Sequence, residues 1–258
     1  MSKLRLCVGL LATVFALGTA RADVVGFWTF DDVQNSVITD QSGNGFHGRL
    51  GRPVDRSNDP VPSENTPSDN PGDRAIQVNG SGGVVVGDYG QQTLDLSEGQ
   101  PITMEVWLYP EEPVTDWTGL VQYGQSGQGY KIGIRGNGEF LFTLLGVVDV
   151  STSMIYIEPD GEWHHLAAIW EPGIGVTFYH NGEEMDFVSE TRDMIVPAAK
   201  ELWIGVEHGA QYGFACTLDR VRISDGVVAP EDLDSDPDNP KQPTDQTVFY
   251  MTFDEGDS

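Results

Sequence analysis

The sequence predicts an all-β protein, an antiparallel jelly-roll sandwich. Helical periodicity is nearly absent, and short apolar or alternating runs recur between Gly, Pro, Asn-Gly and Asp-Gly punctuation. Two of those runs are joined through Asn137-Gly138 and two more through Asn181-Gly182. Both residues of such a pair tolerate positive φ, so each pair marks a tight hairpin. Many short strands joined by turns, with no helices between them, close most readily as two packed antiparallel sheets.

Residues 1–22 stand apart from this pattern. A basic start (Lys3, Arg5), an apolar run from Leu6 to Gly18 and the small-x-small end Ala20-Arg21-Ala22 read as a secretory leader, cleaved before Asp23. The run is too short to cross a bilayer, which needs about 20 apolar residues. The protein is therefore expected outside the cytoplasm, secreted or periplasmic, without membrane insertion. Cys7 leaves with the leader and Cys216 remains alone, so no internal disulfide is expected.

The strands then follow in order. "VVGFWTF" opens the domain, and "AIQVNG" and "GGVVVGDY" come after a proline-rich excursion at 51–74. "PITMEVWLYP", "GLVQYG" and the paired runs around Asn137-Gly138 form the middle. "DGEWHHLAAIW", at 160–170, enters a strand through Asp160-Gly161 and sets two histidines side by side. Neighbouring side chains of a strand point to opposite faces, so His164 and His165 cannot ligate one metal together. One packed histidine and one partly exposed histidine is the expectation. "VTFYHNGEEMDFV", "ELWIGVE" and "ACTLDRVRIS" complete the domain, residues 23–233. Residues 234–246 have the composition of an acidic, proline-stiffened linker, expected to be solvated. Residues 247–258 then repeat the opening strand: Thr252-Phe253-Asp254-Glu255 matches Thr29-Phe30-Asp31-Asp32. They read as the start of a second repeat or as a docking strand.

Charge narrows the partners. Forty acidic residues face 14 basic ones, a net of −26, and three of the basic residues belong to the leader. Such a polyanion repels nucleic acid and anionic membranes. It suits calcium binding or a salty habitat.

These pieces together resemble the laminin G-like, concanavalin A-like lectin/glucanase superfamily, in its bacterial branch related to pentraxins. The residues that carry the resemblance are "GFWTFDD" with "TDQSGNGFHGRL", "AIQVNG", "PITMEVWLYP", the Trp-His-His hairpin ending at Asn181-Gly182, and "LWIGVE" with "CTLDRVRIS". In that family Trp-His-His is a signature of the fold rather than a catalytic pair.

"DQSGNG" places oxygen-bearing side chains at alternating positions, Asp40, Ser42 and Asn44, as in the front half of a calcium loop. Position 12 of that loop is Gly51, so it is no EF-hand, and a plain glycine-rich turn is the competing reading. The resemblance adds Asp31 and Asp219, giving Asp31, Asp40, Asn44 and Asp219 as candidate ligands of a structural calcium. Catalysis finds little footing. Retaining glucanases pair carboxylates on one strand about 5 Å apart, whereas here Glu105 is followed by Trp107 where the second acid should stand. Glu184 and Asp186 follow a hairpin turn, where charge is usually solvated. No nucleophile elbow or phosphate loop is present. A non-catalytic binding module is the reading, with a carbohydrate or extracellular protein as partner. A structural or adhesion spacer is the alternative. Trp117, Tyr123, Tyr130 and Tyr212, in or near loops, are the candidate ligand platforms, each with core or rim packing as its competing role.

Overall fold

The computed structural model describes residues 26–28, 36–40, 45–50, 58–68, 70–87, 99–244 and 246–253. The expected leader, Asp31 and Asn44 lie outside the described residues. Two sheets face each other. The first runs β1 (Gly26–Trp28), β17 (Thr247–Met251), β16 (Ala215–Asp225), β7 (Ile102–Pro110), β12 (His164–Glu171), β13 (Gly175–His180) and β14 (Glu183–Ser189). In the same sheet β5 (Ala75–Asn79) also pairs with β16, and β4 (Val61–Ser63) pairs with β5. The second sheet runs β11 (Val148–Tyr156), β10 (Glu139–Leu144), β9 (Gln128–Ile134), β8 (Val121–Gln125), β15 (Leu202–Ile204), β6 (Val84–Val86), β3 (Gly48–Leu50) and β2 (Val37–Ile38). All pairings are antiparallel except β1 with β17. The jelly-roll sandwich expected from the sequence is present.

Period-2 alternation fills the space between the sheets. Met104, Val106 and Leu108 of β7 face Phe140, Phe142 and Leu144 of β10 across one apolar core. Trp28 and Trp170 are completely buried there. The Asn181-Gly182 hairpin forms as its chemistry requires, with φ of 50° and 81°. Asn181 does further work, its Oδ1 accepting from the His165 backbone N–H at 2.8 Å.

The outer face of the first sheet is covered too. Beyond β16 the chain turns back and lays Val228 and Leu233 against Ala167, Ile169 and Tyr179. A single 3-10 turn, Pro230–Asp232, shapes this strap. Its start differs from the solvated linker expected at 234–246: Asp234 is completely buried. The reason is ionic. Arg222 projects from β16 beneath the strap, where its Nε donates to Glu105 Oε1 at 2.7 Å and its Nη2 donates to the Asp232 carbonyl at 2.7 Å. Glu105 Oε2 accepts from the Asp234 backbone N–H at 2.7 Å and from His165 Nε2 at 3.2 Å. Trp107 Nε1 donates to the Asp234 carbonyl at 2.8 Å. Burial alone would raise the Glu105 carboxyl, but the His165 hydrogen bond and the Arg222 charge hold it below the usual carboxylate range. Asp234, pushed the other way by burial, rises to about 6.

The two histidines of the "WHH" stretch do point to opposite faces. His165 joins the Glu105 network, while His164 Nδ1 lies 3.0 Å from His180 Nε2 and His164 Nε2 lies 3.2 Å from Asp160 Oδ1. Contrary to the expectation of one exposed ring, both are buried. The loop at 158–163 and the His180 ring close over His164.

Candidate functional site

At one rim of the sandwich two loops meet, 111–120 between β7 and β8 and 205–214 between β15 and β16. Backbone bonds pin them. Gly119 N donates to the Tyr212 carbonyl at 2.9 Å, and Glu111 N donates to the Ala215 carbonyl at 3.1 Å. The Glu112 carboxylate accepts from Ala215 N at 3.0 Å. Thr118 ties the first loop to β9 three times, through its N–H and hydroxyl donating to the Ile134 carbonyl and its hydroxyl accepting from Ile134 N–H. Gly133 permits this close approach, since a Cβ there would lie 1.9 Å from the Thr118 carbonyl oxygen. Lys131 and Glu207, a nearly buried ion pair, brace the second loop from below.

Between the loops lies a cleft of about 410 Å³. Its walls are Glu112, Pro113, Thr115, Asp116, Trp117 and Thr118 on one side and Tyr212, Gly213 and Phe214 on the other. Trp117 is held by the Arg135 guanidinium, 4.6 Å from its ring centroid, and Arg135 is in turn fixed by Ser151 Oγ at 3.0 Å and Glu139 Oε2 at 3.3 Å. Asp116 Oδ1 accepts from the Trp117 backbone N–H at 2.8 Å. Tyr212 is half exposed and sits at φ 49°, a left-handed conformation costly for an aromatic residue. Strained backbone of this kind gathers at ligand clamps. A second depression of about 480 Å³ adjoins, sharing Pro113 and lined by Gly136–Gly138 and Ile157–Asp160.

Two of the four aromatics read from the sequence, Trp117 and Tyr212, are thus brought together. The other two are corrected. Tyr123 and Tyr130 are each 1% exposed, with ring centroids 5.5 Å apart, and Tyr130 stacks on Phe142 inside the core. They share a face with Val121 and Ile132, which alternation along β8 and β9 dictates. Sequence reasoning missed Glu112, Thr115, Asp116 and Phe214, and the acidic, threonine-bearing "EEPVTDW" loop was the available signal.

Of the expected calcium set, only Asp40 and Asp219 are among the described residues. Asp40 Oδ2 accepts from Phe46 N–H at 2.9 Å, the local turn bond of a glycine-rich loop. Asp219 is completely buried in β16, where its Oδ1 accepts from Arg220 N–H at 2.6 Å and its Oδ2 lies 3.8 Å from Arg220 Nε. Among the described residues Asp219 is thus an ion-pair partner of Arg220. Among the described residues no three His, Cys, Asp or Glu side chains converge as a metal centre requires. Glu105, the one acid on the strand where a glucanase would carry its pair, is 1% exposed beneath the strap.

A family model, the Laminin_G_3 domain of the concanavalin A-like lectin/glucanases superfamily, matches residues 78–234. The chain belongs to this superfamily. Among solved structures, domain 4 of AbnA, a GH43 extracellular arabinanase from Geobacillus stearothermophilus, in complex with arabinotriose, superposes with a TM-score of 0.58 at 21% identity. That match covers 82% of this chain and 96% of that domain. The binding domain of Paraclostridial Mosquitocidal Protein 1 superposes at 0.56 with 17% identity over 82% of this chain. The botulinum neurotoxin serotype D/C binding domain does so at 0.57 with 12% identity, again over 82%. This chain spans about half of those two domains, 51% and 50%. Comparison with curated proteins found no match. No helix among the described residues is long and apolar enough to cross a membrane. At these identities the superpositions establish the superfamily's sandwich, and the site must speak for itself.

Proposed function

We propose that the protein is a non-catalytic module of the cell exterior that holds a neutral oligosaccharide in the cleft between Trp117 and Tyr212. The observation that carries this reading is the pairing itself: the half-exposed Tyr212 ring and the partly buried Trp117 ring, backed by Arg135, come from distant parts of the chain and line one cleft whose edges are carboxylates and hydroxyls. A sugar ring presents an apolar face suited to an aromatic platform. Its hydroxyls suit acceptors such as Glu112 and Asp116 and the two-way hydroxyl of Thr115. The adjoining depression gives room for more than one residue of a chain. Two carboxylates in the cleft of a chain with net charge −26 disfavour uronic-acid or sulfated ligands, so neutral glycans are the class. Arabinotriose is the ligand of the superposed arabinanase domain, and arabino-oligosaccharides therefore head the panel.

The non-catalytic reading is supported by Glu105, which is buried and spent on Arg222, His165 and the strap. The test is calorimetric titration of neutral and acidic oligosaccharides into wild type, Trp117→Ala and Tyr212→Ala. The proposal expects binding of a neutral glycan that weakens tenfold or more in each variant, roughly the 1.4 kcal/mol of one lost stacking contact. Binding that survives both substitutions would place the site elsewhere. No binding across the panel would favour a spacer or adhesion role instead.

A further inference from the structure

β1 and β17 pair in parallel with Gly26 opposite Phe249, Phe27 opposite Tyr250 and Trp28 opposite Met251. That register is the same one that aligns Thr29-Phe30-Asp31-Asp32 with Thr252-Phe253-Asp254-Glu255 in the sequence. The described part of that pairing covers residues 26–28 against 249–251. Because β17 runs antiparallel to β16 and parallel to β1, β1 also runs antiparallel to β16. It has the direction needed to take the place of β17 by moving across one strand spacing, about 4.8 Å. Its side chains fit as well. Phe249 and Met251 are completely buried and fill the core beside β16. Trp28 folds back over Gly26, where a Cβ would fall 1.8 Å from the indole, so this one ring spans the two positions whose β17 counterparts are Phe249 and Met251. Trp28 already lies in the same core, 4.5 Å from Phe249 ring to ring.

We propose that the groove beside β16 is a strand-acceptor site with two equivalent donors in this chain, and that its partner is the 247–253 segment of a second copy. When β17 leaves, β1 moves in and keeps the core closed; an incoming β17 displaces β1 to the edge, the arrangement seen here. The connection has the reach for donation. The strap is anchored through Asp234, and donation must also release the Arg220 bonds to the Asp236 and Pro237 carbonyls and the Lys241 N–H bond to Asp234 Oδ1; residues 235–246, with Pro237, Pro240 and Pro243, then extend to about 40 Å at ~3.3 Å per residue. Exchange of such an element between copies reuses the contacts it makes within one chain and needs no new ones. Main-chain bonds along β16 supply affinity, and the alternate pockets of Phe249 and Met251 supply register.

The test uses hydrogen exchange on the full chain carrying Met251→Asp, a charge that the core rejects. The proposal expects 247–253 to lose protection while 26–32 exchanges roughly tenfold more slowly than in wild type. Adding a synthetic peptide of residues 246–255 should then bind one to one and return 26–32 to its wild-type rate. Loss of protection in both segments together would overturn the proposal. Should the variant not fold, native mass spectrometry of wild type warmed toward its melting midpoint with the same peptide decides. A one-to-one adduct upholds the acceptor site, and its absence at excess peptide refutes it.

Discussion

Arg222→Met tests whether the buried ion pair, rather than apolar contact alone, holds the strap to the sheet. Arg222 and Glu105 are each 1% exposed, and the guanidinium contacts Glu105 Oε1 through Nε at 2.7 Å and through Nη2 at 2.5 Å. Methionine preserves the stem and the packing but leaves Glu105 charged in a dry site, with only His165 and the Asp234 N–H as partners. It also leaves the Asp232 carbonyl without its donor. Breaking one side of a buried pair costs about 3–5 kcal/mol, a large share of the roughly 5–15 kcal/mol that stabilises an ordinary domain. Urea unfolding at pH 7 should show that loss. Adding Glu105→Gln should then recover about 2 kcal/mol, because the neutral amide keeps an acceptor for Asp234 N–H and removes the uncompensated charge. Lowering the pH should also help the single variant. Without Arg222 the Glu105 carboxyl is raised by burial, so its neutral form stabilises the fold at low pH and that contribution is lost as pH rises. A loss below about 1 kcal/mol in Arg222→Met, or a double variant weaker than the single, would refute the reasoning.

Two further outcomes concern charge. Burial raises Asp234 to about 6, so its contribution is present below its unfolded value near 4 and is lost as pH rises through 6. Burial and then the neighbouring His164 depress His180 from 6.5 to about 4, so its contribution is present above 6.5 and is lost as pH falls through 4. These oppose each other in wild type, and Asp234→Asn should unmask a rise of about 1–2 kcal/mol between pH 4.5 and 6.5, after allowing for the partial exposure of His180. A flat profile in that variant would count against the assignment. Asp219→Asn should weaken the fold by about 1–3 kcal/mol through its lost Arg220 contacts. Thermal melts should show the same drop with calcium and with chelator, whereas a drop seen only with calcium present would make Asp219 a calcium ligand.

Much of the fold was legible because its signals are local. Asn137-Gly138 and Asn181-Gly182 can only be turns in such a setting, and alternation alone sends His164 and His165 to opposite faces. The same alternation, applied to Val121-Gln122-Tyr123 and Tyr130-Lys131-Ile132, would have placed both tyrosines in the core; their nearness to glycine-rich turns concealed it. The strap was hidden by its composition, since acidic residues with prolines read as solvated chain. Its signature lies in another segment. Arg220 and Arg222 stand between Leu218, Val221 and Ile223 in the closing strand of a chain with 14 basic residues, and two buried guanidiniums demand acidic or carbonyl partners. The cleft was only half legible. Trp117 and Tyr212 belong to different loops, and it is the Gly119–Tyr212 backbone bond that joins them.

The central claim, that this cleft is the ligand site, is tested most directly by amide chemical-shift mapping during titration with a neutral oligosaccharide such as arabinotriose. The account predicts shifts concentrated at residues 112–118 and 212–214, with the Trp117 indole N–H among the largest and saturation at one ligand per chain. Shifts centred on another part of the sandwich, with residues 112–118 and 212–214 unmoved at saturation, would contradict it.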